Sequence, residues 1–192
     1  METLTAGGRL CRLGGWVGLT CLLWSSASAA PSQPKPLDTQ VKAAFLPKFA
    51  GYVNWPPTAL GSAEAPLQLC IIGRDPFGAN LDTATAGQRV DTHPIIVRRL
   101  ETTANAGSCH MAFLGGSAKQ TPAAMQAALR EQPVLTITDD AVGDLRGMVH
   151  FALKDGRVRF HIDDALAARS NLSISARLLS LALSVKPRAR LS

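Results

Sequence analysis

Apolar positions recur along residues 41–57, "VKAAFLPKFAGYVNWPP", at Val41, Phe45, Phe49 and Tyr52–Val53. That spacing draws one stripe along a helix. Asp38 is placed to cap it. Pro47 lacks a backbone donor and should kink or divide the helix, and Pro56–Pro57 should end it. Short apolar runs then alternate with polar, helix-forming ones. "LQLCIIG" (67–73), "HPIIVRRL" (93–100), "CHMAFLGG" (109–116) and "PVLTITDD" (133–140) read as buried strands. "DPFGANLDTAT" starts like a helix, with Asp75 as cap and Pro76 in the first turn. "TPAAMQAALREQ" reads as a helix capped by Thr121, and "TTANAGS" as a short helix or turn. Alternation of this kind predicts an α/β fold: a largely parallel sheet flanked by helices.

From residue 147 the period changes to two. "GMVHFALKDGRVRFHID" alternates around Asp155-Gly156, a strong hairpin turn. The register sets Lys154 against Arg157, Ala152 against Arg159 and His150 against His161. Val149, Phe151 and Leu153 should face the core with Ile162, Phe160 and Val158. "NLSISARLLSLALSV" closes the fold as an apolar-faced helix with Ser173 as its cap. The architecture is thus a sheet with a C-terminal β-hairpin and a final helix.

The N-terminus changes the picture of where the protein works. Arg9 and Arg12 precede the apolar run "WVGLTCLLW", and Ala27-Ser28-Ala29 offers a cleavage site. Residues 1–29 read as a secretory signal peptide. "GLTC" makes a poor lipidation box. Pro-rich residues 30–37 should form a flexible leader, residues 38–185 a single domain, and residues 186–192 a solvated basic tail. No later apolar run is long enough for a spanning helix. The expected location is the periplasm. The full chain carries a net charge of +6, and the cleaved protein stays basic, which speaks for solubility, acidic partners or anionic headgroups, not nucleic acid.

Cleavage would leave two cysteines, Cys70 and Cys109. In an oxidising compartment the default is one disulfide. Closing a loop of this size is worth about 4 kcal/mol by chain entropy. The pair serves as a staple or as a redox-responsive switch. It is not a zinc site, because no histidine stands at ligand spacing.

Two regions are candidates for ligand chemistry. Ligands of parallel sheets bind beyond the carboxyl ends of the strands. Here those ends are Gly73 to Gly78, Gly115-Gly116-Ser117 and Thr138-Asp139-Asp140, which could hold an anion. The hairpin's polar face gathers Lys154, Arg157, Arg159, His150 and His161. Opposed histidines could ligate a metal, but no third ligand follows by spacing; the face reads first as solvated, and an anion is the better functional guess. "GGSAK" is not a nucleophile elbow, and nothing supports catalysis, a cofactor or a resident metal. The aromatic helix (Phe45, Phe49, Tyr52, Trp55) reads as core with part of its stripe free to dock a partner.

Taken in order, "VKAAFLPKFAGYVNWPP", "LCIIGRDPFG", "SCHMAFLGG", the closing hairpin and "LSISARLLSLA" resemble the YfiR family of small periplasmic proteins. The resemblance runs from about Val41 to Leu183. It implies an α/β, often dimeric regulator without catalytic activity. Such a protein binds and represses the periplasmic sensor domain of an inner-membrane diguanylate cyclase, sometimes a histidine kinase. That restrains cyclic di-GMP and biofilm formation. Cys70 and Cys109 match family cysteine positions. The second cysteine pair of some members is missing here, so the resemblance does not imply a two-disulfide redox mechanism. Pro47 departs from the family's usual bulky residue. Two rival readings remain: a sensor of a small anionic or aromatic ligand through Arg159, His161 and Arg177, and a periplasmic hydrolase.

Overall fold

Successive side chains of a strand point to opposite faces of its sheet, and β2 (Leu67–Gly73) uses both. Leu69 and Ile71 enter one hydrophobic cluster, Cys70 and Ile72 another. In β5 (Met111–Gly116), Met111 and Phe113 join the first cluster, Ala112 and Leu114 the second. Strands buried on both faces need helices on both. A computed structural model, describing residues 36–189, supplies them. The expected signal peptide and most of the leader lie outside the described residues, as do residues 190–192.

The first cluster is covered by α1 (Pro36–Ala50) and α3 (Ala79–Thr85), the second by α4 (Pro122–Ala128). The other sheet strands are β3 (Arg89–Val90), β4 (His93–Leu100), β6 (Leu135–Asp139), β7 (Val149–Lys154), β8 (Arg157–Asp163) and β10 (Val185–Lys186). They form one eight-stranded sheet in the order β10-β8-β7-β6-β5-β2-β4-β3. The run β4-β2-β5-β6-β7 is parallel; β7–β8 and β3–β4 are antiparallel. A separate two-stranded ladder joins β1 (Val53–Asn54) to β9 (Ser173–Ile174). Short helices α2 (Pro57–Leu60), α5 (Asp164–Arg169) and α6 (Ala176–Leu181) complete the fold. Among the described residues no helix is long and apolar enough to cross a membrane.

The expected α/β architecture and hairpin register hold: Lys154 pairs with Arg157, Ala152 with Arg159 and His150 with His161. Several local expectations do not. Helix α1 runs undivided through Pro47, because burial of Leu46, Phe49 and Ala50 around it outweighs one lost hydrogen bond. Its buried face is Lys42, Ala43, Leu46, Pro47, Phe49 and Ala50; of the predicted stripe Phe49 is buried, while Val41 and Phe45 are half-buried on the flank.

Asp75 caps no helix. It accepts from the backbone N–H groups of Phe77 and Gly78 in a side-chain turn, and α3 begins later. The final helix is capped by Ser175, since Ser173 is drawn into β9. Cys109 precedes β5 instead of leading it. Leu153 is exposed at the hairpin tip, where the core face runs out. The basic tail is ordered at its start: Val185 and Lys186 pair with Ile162 and Asp163, and Lys186 and Arg188 bind Asp163 and Asp164.

Candidate functional site

Strand order reverses between β2 and β5. From β2 the chain crosses to β4 through α3 on one face; from β5 it crosses to β6 through α4 on the other. Such a switch leaves a crevice beyond the carboxyl ends of the two strands. A cleft of about 770 Å³ lies there, between Gly73-Arg74, Gly115-Gly116-Ser117, Arg99 to Glu101 and the start of α4. Its floor is backbone. A Cβ on Gly73 would land on the Gly116 carbonyl, and one on Gly115 on that of Arg74.

On one side of the cleft Arg99 holds four acceptor oxygens from three residues. It donates to Asp75 at 2.7 Å, to both Asp82 oxygens at 2.9 and 3.0 Å, and to the Gly78 carbonyl. Partial burial pushes the Asp75 carboxyl up, but the Arg99 guanidinium and the two backbone donors outweigh it. The net effect holds Asp75 below the usual carboxylate range. Arg74 is exposed, and its guanidinium has no hydrogen-bond or ion-pair partner among the described residues.

Arg74 and Val142 also wall a second, smaller pocket of about 110 Å³, lined by Pro76, Phe77 and Ala141. Beneath it Lys42 Nζ lies 2.8 Å from each oxygen of Asp139. Their side chains are 3% and 4% exposed. The backbone N–H of Ala141 supplies Asp139 with a further donor. This pair ties α1 to the end of β6, as a buried charge requires a partner.

The hairpin's polar face divides. His150 is buried rather than solvated, because β6 and the loop after it cover it. Its Nδ1 meets Thr138 Oγ1 at 2.8 Å and its Nε2 donates to Asp140 at 2.7 Å. The chain Thr138–His150–Asp140 has hydrolase-like members, but Thr138 is as buried as His150 and already accepts from the Gly147 N–H. His161 faces outward, bound to Ser184 Oγ; burial, Arg146 and His150 lower its pKa. Arg159 lines a shallow cleft of about 450 Å³ with Lys154, Arg157 and Leu183. Arg177 sits exposed on α6.

The aromatic helix is mostly interior. Phe49 stacks among Phe45, Phe151 and Phe160 with ring centroids 5.3–6.0 Å away. Trp55 is 8% exposed and donates to the His110 carbonyl. Phe45 and Tyr52 keep part of their surface. His110, which the sequence did not single out, bridges three segments. Its Nδ1 accepts from the Gln68 N–H, and its Nε2 donates to the Ala59 carbonyl at 2.9 Å. Burial lowers its pKa, although the Ala59 contact acts to raise it.

The family model described as YfiR/HmsC-like matches residues 39–183, more than half of the chain. The chain belongs to this family. None of the curated proteins matches it in sequence. For a YfiR/HmsC-like protein, membership implies a periplasmic regulator of cyclic di-GMP signalling. The matched span contains the Cys70–Cys109 disulfide, with Cα atoms 5.8 Å apart. It joins β2 to the turn before β5, inside the second cluster. The residues that the sequence did not single out in this YfiR/HmsC-like chain, Lys42 and His110, are buried polar groups, and Asp139, named there as part of a strand-end loop, is the buried partner of Lys42. One signal was available for the first: a lysine on the stripe of an otherwise apolar helix.

Proposed function

We propose that the protein binds and represses the periplasmic sensor domain of an inner-membrane diguanylate cyclase. The observation that carries this reading is the family match over residues 39–183. Physical features support it. The disulfide cross-links neighbouring parts of the sheet and suits a rigid scaffold in an oxidising compartment. Phe45 and Tyr52 leave aromatic surface at one edge of α1, and large amphipathic rings are favoured anchors in protein interfaces. Phe49 stacks against Phe45 from the core side.

The test is capture from membranes of the native host under oxidising conditions. Recovery of a cyclase with a periplasmic domain is expected, with a drop in cyclic di-GMP on co-expression. Tyr52→Asp should weaken capture without unfolding the protein. Recovery of no inner-membrane sensor protein would overturn the reading; recovery of a histidine kinase would redirect it.

A further inference from the structure

We propose that the cleft at the β2/β5 switch point binds a small molecule bearing a carboxylate or phosphate group, received by Arg74. The inference does not depend on the protein being a cyclase regulator. It concerns a region distinct from the hairpin face of Arg159 and His161.

Charge commitment selects Arg74. Of the other cations around the cleft and the pocket beside it, Lys42 is paired with Asp139, Arg99 with Asp75 and Asp82, and Lys119 with Glu101; Lys154 and Arg157, at the hairpin tip, line a separate cleft. The same pairs occupy the nearby carboxylates, so none of them competes for Arg74 in the structure.

Hydrogen-bonding capacity points the same way. Ser117 Oγ accepts from the Lys119 and Gln120 N–H groups, and Thr121 Oγ1 accepts from that of Ala124. Each hydroxyl keeps its proton to donate, and both line the cleft with Arg74. Arg74, Ser117 and Thr121 therefore offer unspent donors, which favours an acceptor-rich ligand, and the carboxylate on the wall, Glu101, is held by Lys119. A guanidinium fork matches the paired oxygens of a carboxylate or phosphate.

Shape adds the rest. The glycine floor lets a ligand reach the strand-end backbone, which a side chain at Gly73 or Gly115 would block by displacing the opposing strand end. The smaller pocket behind Arg74, walled by Pro76, Phe77 and Ala141, suits a short aliphatic portion of the same molecule. The occupant is therefore a short-chain carboxylate or a small phosphate ester.

The experiment follows backbone amide resonances of the oxidised protein during titration. The probes are butyrate, glycerol 3-phosphate and inorganic phosphate, at ionic strength held constant with chloride. Saturable shifts centred on Arg74, Gly116 and Ser117 are expected for at least one probe and absent for chloride. The butyrate and phosphate arms tell a carboxylate ligand from a phosphate one. Arg74→Ala and Arg74→Gln should each weaken binding by about tenfold, while Arg159→Ala leaves it unchanged.

Absence of saturable shifts for all three probes would overturn the proposal. So would shifts centred on the hairpin and lost in Arg159→Ala, or undiminished binding by folded Arg74→Ala. Should the Arg74 variants fail to fold, the resonance map of the unaltered protein decides.

Discussion

Lys42 and Asp139 stand 97 residues apart in sequence and 2.8 Å apart in space. A buried ion pair adds little net stability over apolar residues, but removing one partner strands the other charge. Lys42→Ala should destabilise the fold by about 3–5 kcal/mol, measured by denaturant unfolding. Lys42→Met combined with Asp139→Asn should recover part of that loss, because the stranded carboxylate is gone. At the same scale, His110 makes stability depend on pH. Burial sets its folded pKa below the ordinary 6.5, so as pH falls the unfolded chain takes up its proton first. Stability is full above the unfolded value and declines as pH drops from it toward the folded pKa. Melting temperature should therefore fall between about pH 7.5 and 5.5, and His110→Asn should flatten that slope. His161, shifted the same way but more exposed, supplies a smaller part.

Among the elements, those with a repeating pattern were readable and those built from two residues were not. Strands β2 and β4 lie where their apolar runs place them, and the hairpin register follows from Asp155-Gly156. The ladders β1–β9 and β8–β10 join single dipeptides from distant segments, so no periodicity could announce them. Helix α5 is likewise only six residues long. It is stabilised at its start by Asp163, whose side chain accepts from the Leu166 N–H. Asp164, in its first turn, is bound by Arg188 through two contacts of 2.7 Å. Charge near a helix N-terminus is favourable there, but Asp164 is buried and depends on that fork. Arg188→Ala should cost about 1–2 kcal/mol, after allowing for the solvent around the arginine. It should also raise amide exchange in β10 more than in the central strands.

At the scale of the whole molecule, two hydrophobic layers share one sheet, and the disulfide lies in the smaller. The larger gathers α1, α3 and the aromatic residues of the hairpin; the smaller holds Cys70, Cys109 and the buried face of α4. Fewer apolar side chains stabilise the smaller layer, so the covalent link matters most there. Its loop spans 39 residues, worth about 4 kcal/mol by chain entropy. Reduction should lower the melting temperature by on the order of 10 °C. Unchanged melting with reductant would show that the link does not contribute to stability.

What the sequence determined alone was whatever repeats over short range. Period-two and continuous apolar runs specify the strands, and their alternation with helices specifies the α/β class. The ordered string of motifs marks the family. The candidate site was legible only as loops at strand ends. Tertiary structure decided which strand lies next to which, and so where the order reverses and a cleft opens. It also decided which charges cancel: Arg74, Arg99 and Lys42 are equivalent cations in the sequence, and only packing leaves Arg74 unpaired among the described residues. Pairing of charges is a property of distances between segments, and those distances are set when the layers close on each other.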